Sequence, residues 1–208
     1  HSPQVEVEIR LNTNESPDPP PAGWSDALSA ELSRVQWNRY PDRQAVELRR
    51  ALAAHYGVEP AMVFAANGSN EILQCLLLAY GGPGRSAAVF EPTYALHSHI
   101  SRLTGTGVIE GRRTDDTFEL GDDEVDRVLR LRPEIVFLCT PNNPTGIVER
   151  RGLVDDLAKR STAQGALLII DEAYGQFSPT TAVDLVEESS SVGVTRTFSK
   201  TWAMAGAR

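Results

Sequence analysis

The chain of 208 residues is long enough to bury a sizeable core, as one large domain or two small ones. Its formal net charge of −8 argues against nucleic acid or an anionic membrane as a general partner, so an anionic ligand must be held by a local basic site. No apolar run approaches the roughly 20 residues of a membrane span, no signal-peptide pattern opens the chain, and Cys75 and Cys139 read as isolated thiols in apolar surroundings, which fits a reducing cytoplasm.

In chain order, residues 11–21 (LNTNESPDPPP) read as an extended, proline-rich arm. A first helix is expected from about Ser25 to Val35, with Ala27, Leu28, Leu32 and Val35 on one face. Asn38–Asp42 (NRYPD) breaks it, and a second helix runs to Tyr56 and is closed by Gly57. Thereafter Met62–Ala66, Ala87–Phe90, Val108–Glu110, Ile135–Cys139, Leu167–Ile170 and Val192–Thr197 read as short buried strands. Most are separated by helices such as Glu71–Tyr80, Asp123–Leu131 and Gly152–Ala163. Such alternation predicts an α/β fold with a mainly parallel sheet covered on both faces. The expected division is an arm and first helix over residues 1–40 and a larger domain over 41–208. Both ends look cut, with Arg208 inside a motif, and no internal repeat is found.

In such sheets ligands bind beyond the carboxyl ends of the strands, and the distinctive residues lie there. Asn67-Gly68-Ser69-Asn70-Glu71 opens a helix with small residues, as a phosphate cradle does, although an ordinary N-cap would look the same. Glu91-Pro92-Thr93-Tyr94 brings an aromatic to the cleft mouth, where packing is the simpler role. Thr140-Pro141-Asn142-Asn143-Pro144-Thr145-Gly146 is a heavily constrained turn of the kind that aims a side chain, here Asn143. Ile169-Ile170-Asp171-Glu172-Ala173-Tyr174 delivers a carboxylate, Asp171. A metal is its competing use, but no His or second acid stands at suitable spacing.

Lys200, in Thr197-Phe198-Ser199-Lys200, is one of only two lysines among twenty basic residues. Lys159 looks like a solvated helix face. Arginine cannot replace an amine that must lose a proton and attack a carbonyl, so a retained Lys200 among hydroxyls and small residues points to that chemistry. The set describes pyridoxal 5′-phosphate. Its aldehyde needs a lysine, its phosphate a helix start and an arginine, its ring nitrogen a carboxylate, its phenolate oxygen donors and its ring face an aromatic. A carboxylate about 4 Å from a pyridinium contributes roughly 4 kcal/mol at an effective dielectric near 20, or about 3 pKa units, which keeps the ring protonated as an electron sink.

The order NGSNE, EPTY, PNNPTG, DEAY, SK and R resembles the fold-type-I pyridoxal-phosphate-dependent aminotransferases, the histidinol-phosphate group most closely. The similarity spans LNTNESP through RYPD to FSKTWAMAGAR. It implies a three-layer α/β large domain, with the family's C-terminal small domain absent from this chain. It makes Lys200 the Schiff-base lysine and proton shuttle, pairs Asp171 with the ring nitrogen, and puts Tyr174 and Asn143 on the phenolate oxygen. Tyr94 becomes the stacking aromatic, while Gly68, Ser69, Asn70, Thr197, Ser199 and Arg208 hold the phosphate. The chain departs from the family at Asn70, where many relatives carry an acid, and at Thr201-Trp202. The implied reaction is amino transfer between histidinol phosphate and 2-oxoglutarate in histidine biosynthesis. Aromatic amino transfer and threonine-phosphate decarboxylation are the alternatives within the scaffold, and an aminotransferase-like regulatory domain of a transcription factor is the one outside it. A cytoplasmic homodimer is implied too, with Tyr40 of RYPD reaching the partner subunit's cofactor phosphate. Relatives commonly have Asn–Pro of this turn in cis, so Asn143–Pro144 is expected cis.

Overall fold

The structure is a computed structural model that describes residues 8–9 and 12–207. Arg208, Leu11 and the abrupt start at His1–Gln4 lie outside the described residues. Five strands, β1 (Ser86–Glu91), β2 (Gly107–Arg112), β3 (Ile135–Cys139), β4 (Leu167–Asp171) and β5 (Val192–Thr195), form one sheet in the order β2-β1-β3-β4-β5. Every pairing in it is parallel.

Successive strand residues alternate between the faces, and each face has its own core. Ala88, Phe90, Val136, Leu138, Leu168 and Ile170 pack against α5 (Asp122–Arg130) and α6 (Arg151–Gln164), through Val125, Val128, Leu129, Leu153 and Leu157. Ala87, Val89, Ile135, Phe137 and Ile169 pack against Leu73 and Leu77 of α3 (Ser69–Tyr80) and Ile100 of α4 (Leu96–Leu103). The three-layer α/β expectation is met. With apolar residues on both faces, β3 is buried along its whole length.

The remaining helices are α1 (Trp24–Leu32) and α2 (Val46–Tyr56), the latter closed at Gly57 with φ +70°. Two expectations need correction, the Met62–Ala66 strand and the apolar surroundings of Cys75, and two features were not foreseen. Met62–Ala66 is not a strand: a single 3-10 turn, Pro60–Met62, precedes irregular chain, and Phe64 is exposed. An apolar run forms a strand only where a ladder partner is available, and none exists among the described residues. The apolar face of the first helix is not covered, since no residue of α1 is buried and Leu28, Leu32 and Val35 are exposed. Cys75 lies exposed on α3, whereas Cys139 is buried as expected. The eight-residue α4, unanticipated in the sequence, links β1 to β2.

Candidate active site

The strand order reverses between β1 and β3, and the segments that follow these strands flank that switch point. Cys139, Asp171 and Thr195 are register partners at the ends of β3, β4 and β5, so the pleat brings three chemically distinct groups side by side. Above them lies a cavity of about 410 Å³, within the size range of small-molecule sites. Asn143, Asp171, Tyr174 and Lys200 line it. Gly68, Ser69, Asn70 and Tyr94 line it from the side of α3, and Thr197 and Ser199 from beyond β5. One predicted residue among those described, Tyr40, is 91% exposed and absent from the cavity lining. Arg208 lies outside the described residues.

Asp171 is buried and multiply bonded. Its Oδ1 accepts from the Ala173 N–H and the Thr195 hydroxyl, each at 3.1 Å. Its Oδ2 lies 2.9 Å from Nε2 of His97, which is fully buried on α4. The His97 ring stacks on Phe137, with centroids 4.8 Å apart and planes at 6°, while Tyr94 meets it edge-on at 5.5 Å. His97 and Thr195 were missed by sequence reasoning: His97 is 74 residues from Asp171, and only the α4 crossover brings them together. His97 thus serves Asp171 as a hydrogen-bond partner, and no cluster of three or more His, Cys, Asp or Glu suited to a metal occurs among the described residues.

Glu172 turns the other way. Its Oε1 accepts from the Ala182 N–H at 2.6 Å, and its Oε2 from the Thr181 hydroxyl at 2.9 Å and from Arg196. The DEAY turn is thus anchored on one side while Asp171 and Tyr174 face the cavity. The asparagine pair divides its work similarly. Asn142 is buried and joins two loops, donating to Pro92 O and Thr145 Oγ1 and accepting from Thr93 Oγ1. That leaves Asn143 half-buried on the cavity wall. Asn143–Pro144 is cis as expected, and so are Glu91–Pro92 and Thr140–Pro141.

Gly68 caps α3 at φ +81° without a side-chain hydrogen bond. The helix start therefore offers backbone amides and small side chains to the cavity, which suits a phosphate. The Glu71 carboxylate instead takes the Asn67 N–H at 2.5 Å. Tyr94 donates to Asn70 Oδ1 at 3.2 Å, and burial raises the Tyr94 hydroxyl above its ordinary pKa, so it remains a neutral aromatic. Burial, aided by the nearby Asp171 charge, pushes the Cys139 thiol up to about 12, which makes it inert on the cavity floor. The Lys200 amine donates to Asn14 O at 2.9 Å and lies 5.6 Å from the Tyr174 ring centroid. An amine, a buried carboxylate, a phenol, an amide and an anion cradle thus surround one cavity. This donor set fits pyridoxal phosphate.

The sequence profile of the family described as aminotransferase class I and II matches residues 6–208. The histidinol-phosphate aminotransferase of Frankia casuarinae is 46% identical, over all of this chain and 55% of its own length. That of Thermobifida fusca is 44% identical, over all of this chain and 58% of its own. The chain thus spans a little over half of these relatives. Among solved structures, Sinorhizobium meliloti histidinol-phosphate aminotransferase in complex with pyridoxal-5′-phosphate superposes with a TM-score of 0.85 at 25% identity, covering 98% of this chain and 55% of that one. The chain belongs to the aminotransferase class I and II family.

Proposed function

We propose that this chain is the cofactor-binding part of a pyridoxal-phosphate-dependent aminotransferase that moves an amino group between histidinol phosphate and 2-oxoglutarate. The observation that carries the chemistry is the convergence of Lys200, Asp171 and the open start of α3 on one cavity. The choice of substrate rests on identities of 42–46% across the whole chain with relatives bearing that name.

Pyridoxal phosphate, when bound, supplies an aldehyde that holds the amino group and a ring that accepts the electrons freed at the substrate Cα. The Lys200 amine anchors that aldehyde and afterwards carries the proton to and from Cα. Asp171, only 1% exposed, acts in a poorly screened environment, where its charge holds a proton on the ring nitrogen. Tyr174 and Asn143 donate to the phenolate oxygen, and Tyr94 covers one ring face. The amides of residues 68–70, the hydroxyls of Thr197 and Ser199, and Arg208 hold the phosphate. The partner of this half-site is a second copy of the chain, whose Tyr40 completes the phosphate site.

The test is spectrophotometric. The full-length protein should take up pyridoxal phosphate with a visible absorption band that Lys200→Ala abolishes and Lys159→Ala retains. Histidinol phosphate should convert the band in a half-reaction faster than phosphothreonine or aromatic amino acids offered in parallel. A band that survives Lys200→Ala refutes the cofactor assignment, and a preference for either competitor refutes the substrate.

A further inference from the structure

Read from sequence only as an extended segment, the arm also lines the cavity, through Asn12, Thr13 and Asn14. Asn14 stands at φ +51°, in the left-handed region that few non-glycine residues occupy and asparagine tolerates best. This conformation aims two groups inward at once. The Asn14 carbonyl accepts from Lys200 Nζ at 2.9 Å, and the Asn14 side-chain amide donates to the Tyr174 hydroxyl, also at 2.9 Å.

A phenolic oxygen has one proton to donate and can accept in return. Once Asn14 Nδ2–H has taken the acceptor side, the Tyr174 proton is left to donate elsewhere, and Tyr174 lines the cavity. An amide N–H cannot accept, so the contact has a fixed sense: nothing in it draws the phenolic proton away. We infer that Asn14 is a positioning residue that commits the Tyr174 hydroxyl to donating into the cavity, toward the phenolate oxygen of the bound cofactor. The inference rests on the cofactor reading above. It gives the N-terminal arm a task in the chemistry, reaching across 160 residues of sequence to the DEAY turn.

Asn14→Gly separates this role from a backbone effect. Glycine keeps the left-handed conformation and the carbonyl that faces Lys200, and removes only the amide. The full-length protein loaded with pyridoxal phosphate is titrated with pH, reading the visible absorption of the bound cofactor. A hydrogen bond donated to the phenolate favours the deprotonated form and holds the midpoint down, so Tyr174→Phe raises it. Asn14→Gly is expected to raise it in the same direction, by about half to one pH unit, and to add nothing once Tyr174 is Phe. An unshifted midpoint in Asn14→Gly, or equal shifts in both backgrounds, overturns the inference. Absence of any Lys200-dependent band in the unmutated protein overturns the cofactor reading instead, and the inference with it.

Discussion

Both oxygens of Asp171 are held by the protein: the Ala173 amide and Thr195 hydroxyl take one, and His97 takes the other. A carboxylate so constrained would not rotate away from the ring nitrogen of a bound cofactor, and its burial removes the water that would screen it. Asn at this position keeps the shape and loses the charge. Asp171→Asn is expected to lower turnover on the order of 10²- to 10³-fold, while cofactor affinity changes by less than about tenfold. Steady-state kinetics alongside a cofactor-binding titration check both numbers. Turnover near that of the unmutated enzyme would remove the electron-sink role.

The PNNPTG turn owes its position to a buried pair beneath it. Arg113, just past the end of β2, donates to Glu149, to Phe90 O at the end of β1 and to Phe118 O, and both members of the pair are buried. The Glu149 amide in turn donates to Thr140 Oγ1 at 3.0 Å, at the start of the turn. Burial holds the Glu149 carboxyl above its ordinary pKa, with Arg113 pulling it back. Removing one member of such a pair strands the other, so Arg113→Met should destabilise the fold by about 3–5 kcal/mol at neutral pH. The sign of the pH dependence follows. Without Arg113 the folded-state pKa of Glu149 rises further above its unfolded value, so stability is retained below the unfolded value and lost as pH rises through the folded one. The deficit of the variant should therefore shrink in mildly acidic buffer. Denaturant titrations at both pH values measure it, and a deficit that grew in acid would contradict this account of the pair.

On the scale of the whole molecule, the apolar surface is concentrated in the N-terminal third. Val35, Trp37, Tyr40 and Phe64 are exposed, and α1 buries nothing among the described residues. Tyr40, in a turn between two early helices, is exposed and does not line the cavity of its own chain. A reciprocal two-fold assembly would cover this surface and carry each Tyr40 to the partner's phosphate cradle at residues 68–70. Mixing an inactive Lys200→Ala chain with an inactive Tyr40→Ala chain tests that arrangement. In the mixed dimer one site carries both defects and the other neither, so activity should return in part. No recovery despite confirmed subunit exchange, or a fully active monomer, would rule it out.

Local sequence determined much of this protein by itself. Apolar runs placed all five strands of the sheet to within two residues at each end, most cleanly for β3, because a strand buried on both faces has to be apolar throughout. The candidate site residues were legible too: Asp171 and the asparagine turn break those runs abruptly, and Lys200 stands out as one of only two lysines. Tertiary structure alone decided what surrounds them. Met62–Ala66 has the composition of a strand, yet a strand exists only through its neighbours. His97 sits in an ordinary short helix, Thr195 inside a strand and Asn14 in a proline-rich arm. None carries a local signal, because each acts through a side chain far away in the sequence: Asp171 for the first two, Tyr174 for the third. Residues that meet the ligand bear a chemical signature of their own, whereas residues that orient them are defined only by proximity, which the folded chain creates.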